Sequence, residues 1–176
     1  MKSRKVSLTT PKSTLRVGCW NVRTMYQVGK TANIMREFRR YGLCILGLSE
    51  IRWTGFGEVR TNTGEVILYS GSEGEHHRGV GLVLTRAARS ALLRWNPVNE
   101  RIISARFDSR FAKMTVIQIY APTNDAEDSV KDNFYEQLQK EIEAIPRHDI
   151  TIIMGDANAK VGASRDGWES VMGKKE

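Results

Sequence analysis

Cysteine is scarce in this 176-residue chain, with two residues, and proline nearly so, with four. No apolar run approaches the ~18 residues of a membrane span, and no charged-then-apolar start resembles a secretory signal. So few cysteines exclude a disulfide scaffold, and neither a CxxC nor a Cys/His spacing offers a zinc site. Cys19 and Cys44 lie inside apolar stretches and read as buried thiols of a reducing compartment. The expected setting is intracellular, nucleus or cytoplasm, with no membrane partner. Hydrophobic residues at 40% and charged residues at 27% are globular values, which excludes a disordered or fibrous chain. The length argues for one domain.

Acidic charge is also short, 20 residues against 27 Lys+Arg for a net charge of +7. The excess sits at one end. Residues 1–40 carry ten basic side chains against the single acid Glu37, and the remainder is nearly balanced. A basic segment on a near-neutral body fits a polyanion, through screened attraction to phosphates. On charge alone, a solvated tail plus an ordinary helix face is the simpler reading.

Residues 1–14 are polar, basic and Ser/Thr-rich and read as a flexible leader; residues 15–176 read as the domain. Leu15–Trp20 is expected as a short buried strand. Lys30–Arg40 follows as an amphipathic helix with Ile34, Phe38 and Tyr41 on its apolar face, stopped by Gly42. The apolar run Leu43–Leu48 then delivers Ser49 and Glu50, completing a βαβ-like opening. Val66–Ser70 and Val80–Leu84 flank the Gly/Glu/His-rich turn 71–78. Arg101–Phe107 and Met114–Tyr120 flank the polar turn 108–113. Both pairs read as antiparallel hairpins. A second helix is expected from about Ala126 to Ile145, capped by Asn124 or Asp125, with Val130, Phe134, Leu138, Ile142 and Ile145 as its stripe. Ile150–Met154 is one more expected buried strand, running into Gly155-Asp156-Ala157-Asn158.

Several strands thus end in polar residues, where a sheet holds side chains in fixed mutual geometry. Singly, each motif has a bland reading. Glu50 could be a strand-end surface acid, Asp156 part of a turn, Tyr120-Ala121-Pro122 packing and a strand stop, and Asn21 a loop cap. Their order says more. Gly-Cys-Trp-Asn-Val at 18–22, Leu-Gly-Leu-Ser-Glu-Ile-Arg-Trp at 46–53, Ile-Tyr-Ala-Pro-Thr at 119–123 and Gly-Asp-Ala-Asn at 155–158 resemble the endonuclease/exonuclease/phosphatase superfamily. The wording of Asn21–Met25 and Glu50–Trp53 is most similar to endonuclease domains of non-LTR retrotransposons and proteins derived from them.

That resemblance implies an α/β (α+β) four-layer sandwich of two mixed β-sheets flanked by helices. It implies a Mg²⁺-dependent phosphodiesterase, a DNA endonuclease, with Mn²⁺ as the alternative ion and no small-molecule cofactor. Oxygen ligands suit such an ion, which keeps waters and takes one or two protein carboxylates. By resemblance Glu50 is the principal metal ligand, with Asn21 holding its geometry or touching the ion. Asp156 orients or deprotonates the attacking water. Asn158 donates to the phosphate, and the Tyr120 hydroxyl stabilises its developing charge. His76, His77 and His148 receive no catalytic role.

Two departures stand out. Arg23 occupies a position that is often acidic in AP endonucleases. The sequence also stops at Glu176 without the superfamily's closing Ser-Asp-His segment, where a sandwich of this kind needs roughly 200–250 residues. The expectation is therefore a domain incomplete at its C-terminus, with impaired turnover and DNA bound through the basic residues before position 41. Rival readings are an inositol-phosphate or sphingolipid phosphodiesterase, and a non-catalytic remnant that binds nucleic acid or protein.

Overall fold

The computed structural model describes residues 14–159; the leader expected over residues 1–14 lies outside that span except for Thr14. In chain order the elements are β1 (Val17–Asn21), α1 (Lys30–Arg40), β2 (Ile45–Ser49), β3 (Phe56–Arg60), β4 (Val66–Ser70) and β5 (Val80–Leu84). Then come α2 (Arg86–Ala91), β6 (Leu92–Asn99), β7 (Ile102–Phe107), β8 (Met114–Tyr120), α3 (Asp128–Glu143) and β9 (Ile150–Asp156).

They form two mixed sheets, ordered β1-β2-β5-β4-β3 and β6-β7-β8-β9. Each sheet holds one parallel pair, β1 with β2 and β8 with β9, and its other pairs are antiparallel. The parallel pairs are bridged by α1 and α3, since a parallel connection requires a crossover.

Side chains alternate across each sheet with a period of two, and this alternation builds the layers. Ile45, Val66, Leu68, Val80, Leu82 and Leu84 meet Ile103, Ala105, Phe107, Met114 and Val116 between the sheets. On the outer face of the first sheet, Leu46, Leu48, Ile67 and Val83 pack against Ile34, Met35 and Phe38 of α1. On the outer face of the second, Ile102, Ile117 and Ile119 pack against Phe134 and Leu138 of α3. The order is helix, sheet, sheet, helix, as expected from the resemblance. Strands covered on both faces explain the continuous apolar runs in the sequence. Among the described residues, no helix is long and apolar enough to cross a membrane.

Several local expectations need correction. Among the described residues β1 and β9 are the outermost strands of their sheets, and there Leu15–Trp20 and Ile150–Met154 are not buried; Trp20 is 45% exposed and Ile150 55%. An apolar run reports a preference for burial, not the presence of a neighbour to provide it. For the same reason Cys19 is exposed and Cys44 only half-buried. Met35, not Tyr41, completes the buried face of α1, because the helix ends at Tyr41 and turns it to solvent. Gly42 follows at φ 60, the left-handed conformation glycine supplies at helix ends. Neither Asn124 nor Asp125 caps α3; Glu127 precedes it without a side-chain cap, and Val130 is exposed.

Candidate active site

The C-terminal ends of the two parallel pairs meet across the sandwich. In the first sheet Asn21 is in register with Ser49, so Glu50 emerges one residue beyond the strand end. In the second, Tyr120 is in register with Asp156. The Asn21 side chain closes the gap. Its Nδ2 donates to Glu50 Oε1 at 2.7 Å and to Asp156 Oδ2 at 3.0 Å. Both amide hydrogens are thereby used, while Asn21 Oδ1 accepts from the Arg23 N–H at 3.1 Å. The amide nitrogen, not the oxygen, faces the carboxylates.

The Tyr120 hydroxyl is within hydrogen-bonding reach of Glu50. Burial, reinforced by Glu50, raises its pKa, so the phenol stays protonated through the neutral range. Arg101 stacks on the Tyr120 ring at 5.4 Å and donates to the Tyr120 carbonyl at 3.0 Å. Asn158 is tied down twice: its N–H donates to Asp156 Oδ1 at 3.1 Å and its Nδ2 to the Ala121 carbonyl at 2.7 Å. One of its amide hydrogens stays available to a ligand.

Beneath these residues the sheets are joined by a small polar contact. The buried Gln118 donates to Ser49 Oγ at 2.9 Å and to the Ile119 carbonyl at 3.1 Å. It fits only because glycines flank it. A Cβ on Gly47 would stand 1.8 Å from Gln118 Oε1, and one on Gly155 would stand 2.0 Å from the Ile119 carbonyl oxygen. Gly47 thus lets the two sheets approach directly below Glu50, and Gly155 lets β9 lie against its ladder partner Ile119 directly below Asp156.

Backbone strain gathers in the same place. Arg23, Glu50, Arg52 and Asn158 all have positive φ, between 45 and 60. Left-handed non-glycine residues cost on the order of 1–3 kcal/mol each and concentrate at functional sites.

All five residues singled out in the sequence, Asn21, Glu50, Tyr120, Asp156 and Asn158, lie at this junction. Sequence reasoning missed the surrounding guanidiniums. Arg52 sits 3.5 Å from Glu50 Oε2, and burial together with the nearby charge of Arg78 lowers the pKa of Arg101. Of the basic residues before position 41, Lys2, Arg4, Lys5 and Lys12 lie outside the described residues, Arg23 stands beside Asn21, and on the outer helix α1 Arg36 and Arg40 pair with Glu37 and Arg39 with Glu65. A polar Gln118 inside the apolar run Met114–Tyr120 was the available signal for the inter-sheet contact. Among the described residues, no group of three or more His, Cys, Asp or Glu is arranged to hold a metal.

No protein-family profile matches the chain. Solved structures share its architecture. D. rerio TDP2 complexed with a single-strand DNA product superposes with a TM-score of 0.60 at 14% identity, over 84% of this chain and 62% of that one. The endonuclease domain of TRAS1, a telomere-specific non-LTR retrotransposon, gives 0.58 at 19% identity, over 84% and 61%. The AP endonuclease LMAP from Leishmania major gives 0.57 at 12% identity, over 86% and 60%. The chain therefore shares the fold of these proteins, two mixed β-sheets flanked by helices, at 12–19% identity.

Its sequence is similar to craniofacial development protein 2. Identity with that protein of Bos taurus is 42% over 147 residues, 84% of this chain and 24% of the relative. With that of Tragulus javanicus it is 40% over 147 residues, 84% and 25%. The chain thus spans about a quarter of the curated relatives it matches.

Proposed function

We propose that this chain is a divalent-metal-dependent phosphodiesterase domain of retrotransposon-endonuclease type, acting on DNA. The observation that carries the reading is the Asn21 amide held between the carboxylates of Glu50 and Asp156, which arrive from different sheets. A contact spanning the whole fold in this way does no obvious packing work. The similarity to a retrotransposon endonuclease domain and to a DNA-product complex supports the substrate class.

The donor chemistry fits a hard cation. Two carboxylates converge and one guanidinium, Arg52, lies beside them at 3.5 Å, leaving net negative charge on oxygen atoms. Mg²⁺ accepts one or two protein carboxylates and fills its remaining positions with water; Mn²⁺ shares those ligands. Glu50 would hold the ion. Asn21 acts as a positioning residue, because its oxygen is turned toward Arg23. When bound, the cation supplies charge neutralisation at a phosphate oxygen.

The remaining steps belong to the protein. Asp156 orients a water and takes its proton. Tyr120, protonated, donates to the phosphate as charge grows there, and the remaining Asn158 amide hydrogen does the same. Arg52 and Arg101 hold the substrate's anionic backbone near the carboxylates.

Two measurements test this. Mn²⁺ binding, read from loss of the free-ion electron paramagnetic resonance signal, should weaken about tenfold or more in Glu50→Gln, which removes the charged ligand with little change of shape. Nicking of supercoiled plasmid with Mg²⁺ should fall by about 10²-fold or more in Asp156→Ala. Equal Mn²⁺ binding by both proteins, or nicking that survives both substitutions, would overturn the proposal.

A further inference from the structure

Beside the site opens a cleft of about 360 Å³ lined by Tyr26, Trp53, Thr54, Val59, Tyr69 and His76. Its size falls at the lower end of small-ligand pockets. Four of its six walls are aromatic rings. Tyr26 and His76 stack at 4.6 Å between centroids with a 52° tilt, and Trp53 meets Tyr69 edge-on at 5.1 Å.

The two pairs differ in what they do for the fold. Trp53 and Tyr69 rest on the core beneath α1 and form a fixed floor. Tyr26 is 68% exposed and His76 is also exposed, so neither ring is held by burial. They are held instead by hydrogen bonds to the strand end that carries Glu50. His76 Nδ1 pairs with the Arg52 carbonyl at 2.9 Å, and Met25 N–H donates to the Ile51 carbonyl at 2.9 Å just before Tyr26. Tyr26 N–H is itself fixed by Thr24 Oγ1 at 3.0 Å. An aromatic wall on solvent, anchored two residues from Glu50, exposes apolar area with no return for stability.

Charge points to the occupant. Arg52 lies between the cleft and Glu50. Its backbone N–H donates to the Arg78 carbonyl at 2.8 Å, while the Arg78 guanidinium turns away to Glu100 at 3.1 Å, which leaves Arg52 as the cation at the cleft. Flat π-faces next to a guanidinium and a proposed phosphodiester site match a nucleotide, whose base stacks while its phosphate is neutralised.

We infer that this cleft is a stacking subsite for one unpaired nucleobase of the strand whose phosphodiester lies at Glu50 and Asp156. The assignment rests on the phosphodiesterase reading for the position of that phosphate. Stacking needs the base out of its duplex, so the chain prefers single-stranded or locally unpaired DNA and tolerates any base.

The test is a binding measurement in EDTA, where cleavage plays no part, using fluorescence anisotropy of a labelled oligodeoxythymidylate. Tyr26→Ala and His76→Ala should each weaken binding about tenfold with unchanged melting temperature, and Tyr26→Phe, which keeps the ring, should bind as the parent does. Moving a single abasic residue along the oligonucleotide should reveal one sensitive position. At that position the loss should not add to that of Tyr26→Ala, because both remove the same contact. A flat abasic scan, unchanged binding by both alanine variants, or a Tyr26→Phe as weak as the alanine variant would overturn the subsite. If plasmid nicking fails while the non-additivity persists, the subsite stands and the phosphodiesterase reading falls; the converse result removes the subsite alone.

Discussion

The two parallel strand pairs do the same job by unequal means. In the first, Glu50 follows β2, a central strand buried along its whole length, and Asn21 ends the edge strand β1. In the second, Tyr120 ends the central strand β8, and the carboxylate Asp156 ends β9, the outermost strand of that sheet among the described residues, with exposed Ile150 and Ile153. One carboxylate therefore stands on the stiffest part of its sheet and the other on the softest. Each half also has its own ion-pair lock. Arg39 reaches from α1 to Glu65 at 3.0 Å, whereas Arg106 of β7 binds Asp149 at 2.6 and 2.8 Å, immediately before β9 begins. Thr115 adds a third bond to Asp149 at 3.0 Å. β9 is thus pinned at its entry by Asp149 and at its exit by Asn21, whereas β2 shares the Asn21 contact at its exit, through Glu50, and is held along its length by burial. Where packing is thin, directional polar contacts fix the geometry.

The sharpest way to break this comparison is through the two glycines under the site. Gly155→Ala should cost more than about 3 kcal/mol, because its φ of 137 disfavours any side chain and the new Cβ would strike backbone oxygen. Gly47→Ala strikes the Gln118 side chain, which has some freedom to move, and should cost about 1–3 kcal/mol. Urea denaturation gives both values. A larger loss for Gly47→Ala would mean that β9 is not the vulnerable half.

The locks offer a smaller contrast. Arg106→Gln leaves Asp149, whose side chain is 3% exposed, with Thr115 as its remaining partner and should cost about 3 kcal/mol. Arg39→Gln leaves Glu65 with hydroxyls from both Thr61 and Thr63 and should cost about 1 kcal/mol. Amide hydrogen exchange in Arg106→Gln should accelerate most along β9. Uniform acceleration across both sheets would show that the pin is not local.

Smallest is the acid response. Burial pushes the Glu65 carboxyl up, but hydrogen bonds from Thr61, Thr63 and Arg39 outweigh it and hold the group at about 2, below its ordinary 4.5. The Arg106 guanidinium holds the Asp149 carboxyl low as well, against the upward effect of burial. Both groups bind protons less readily when folded. Their stabilisation is complete above the ordinary carboxylate range and is lost as pH falls through the folded values. Stability should fall as pH drops from 4.5 toward about 2, with Glu65→Gln flattening part of that slope in urea titrations at stepped pH. An unchanged slope would remove Glu65 from the first lock.

Much of this was legible locally. The helix Lys30–Arg40 and the strands Val66–Ser70 and Val80–Leu84 have the bounds their periodicity and flanking turns predict. β3, α2 and β6 did not declare themselves. β3 reads Phe-Gly-Glu-Val-Arg, and β6 contains Pro97 and two register shifts. Such segments take strand form because a neighbour supplies the ladder, not because their own residues demand it.

Local sequence determined most of the elements, though not β3, α2 and β6, together with the order of polar strand ends and the residues that stand at them, since hydrophobic period and turn chemistry act over a few neighbours. Only the tertiary structure decided that Asn21 donates to Asp156, 135 positions away, that Trp20 faces outward, and that Tyr26 and His76 share a wall. The reason is physical: a side chain's partner across two sheets depends on strand order and register, which no local stretch of chain encodes, and the part played by Gly47 and Gly155 shows only once Gln118 and Ile119 are brought against them.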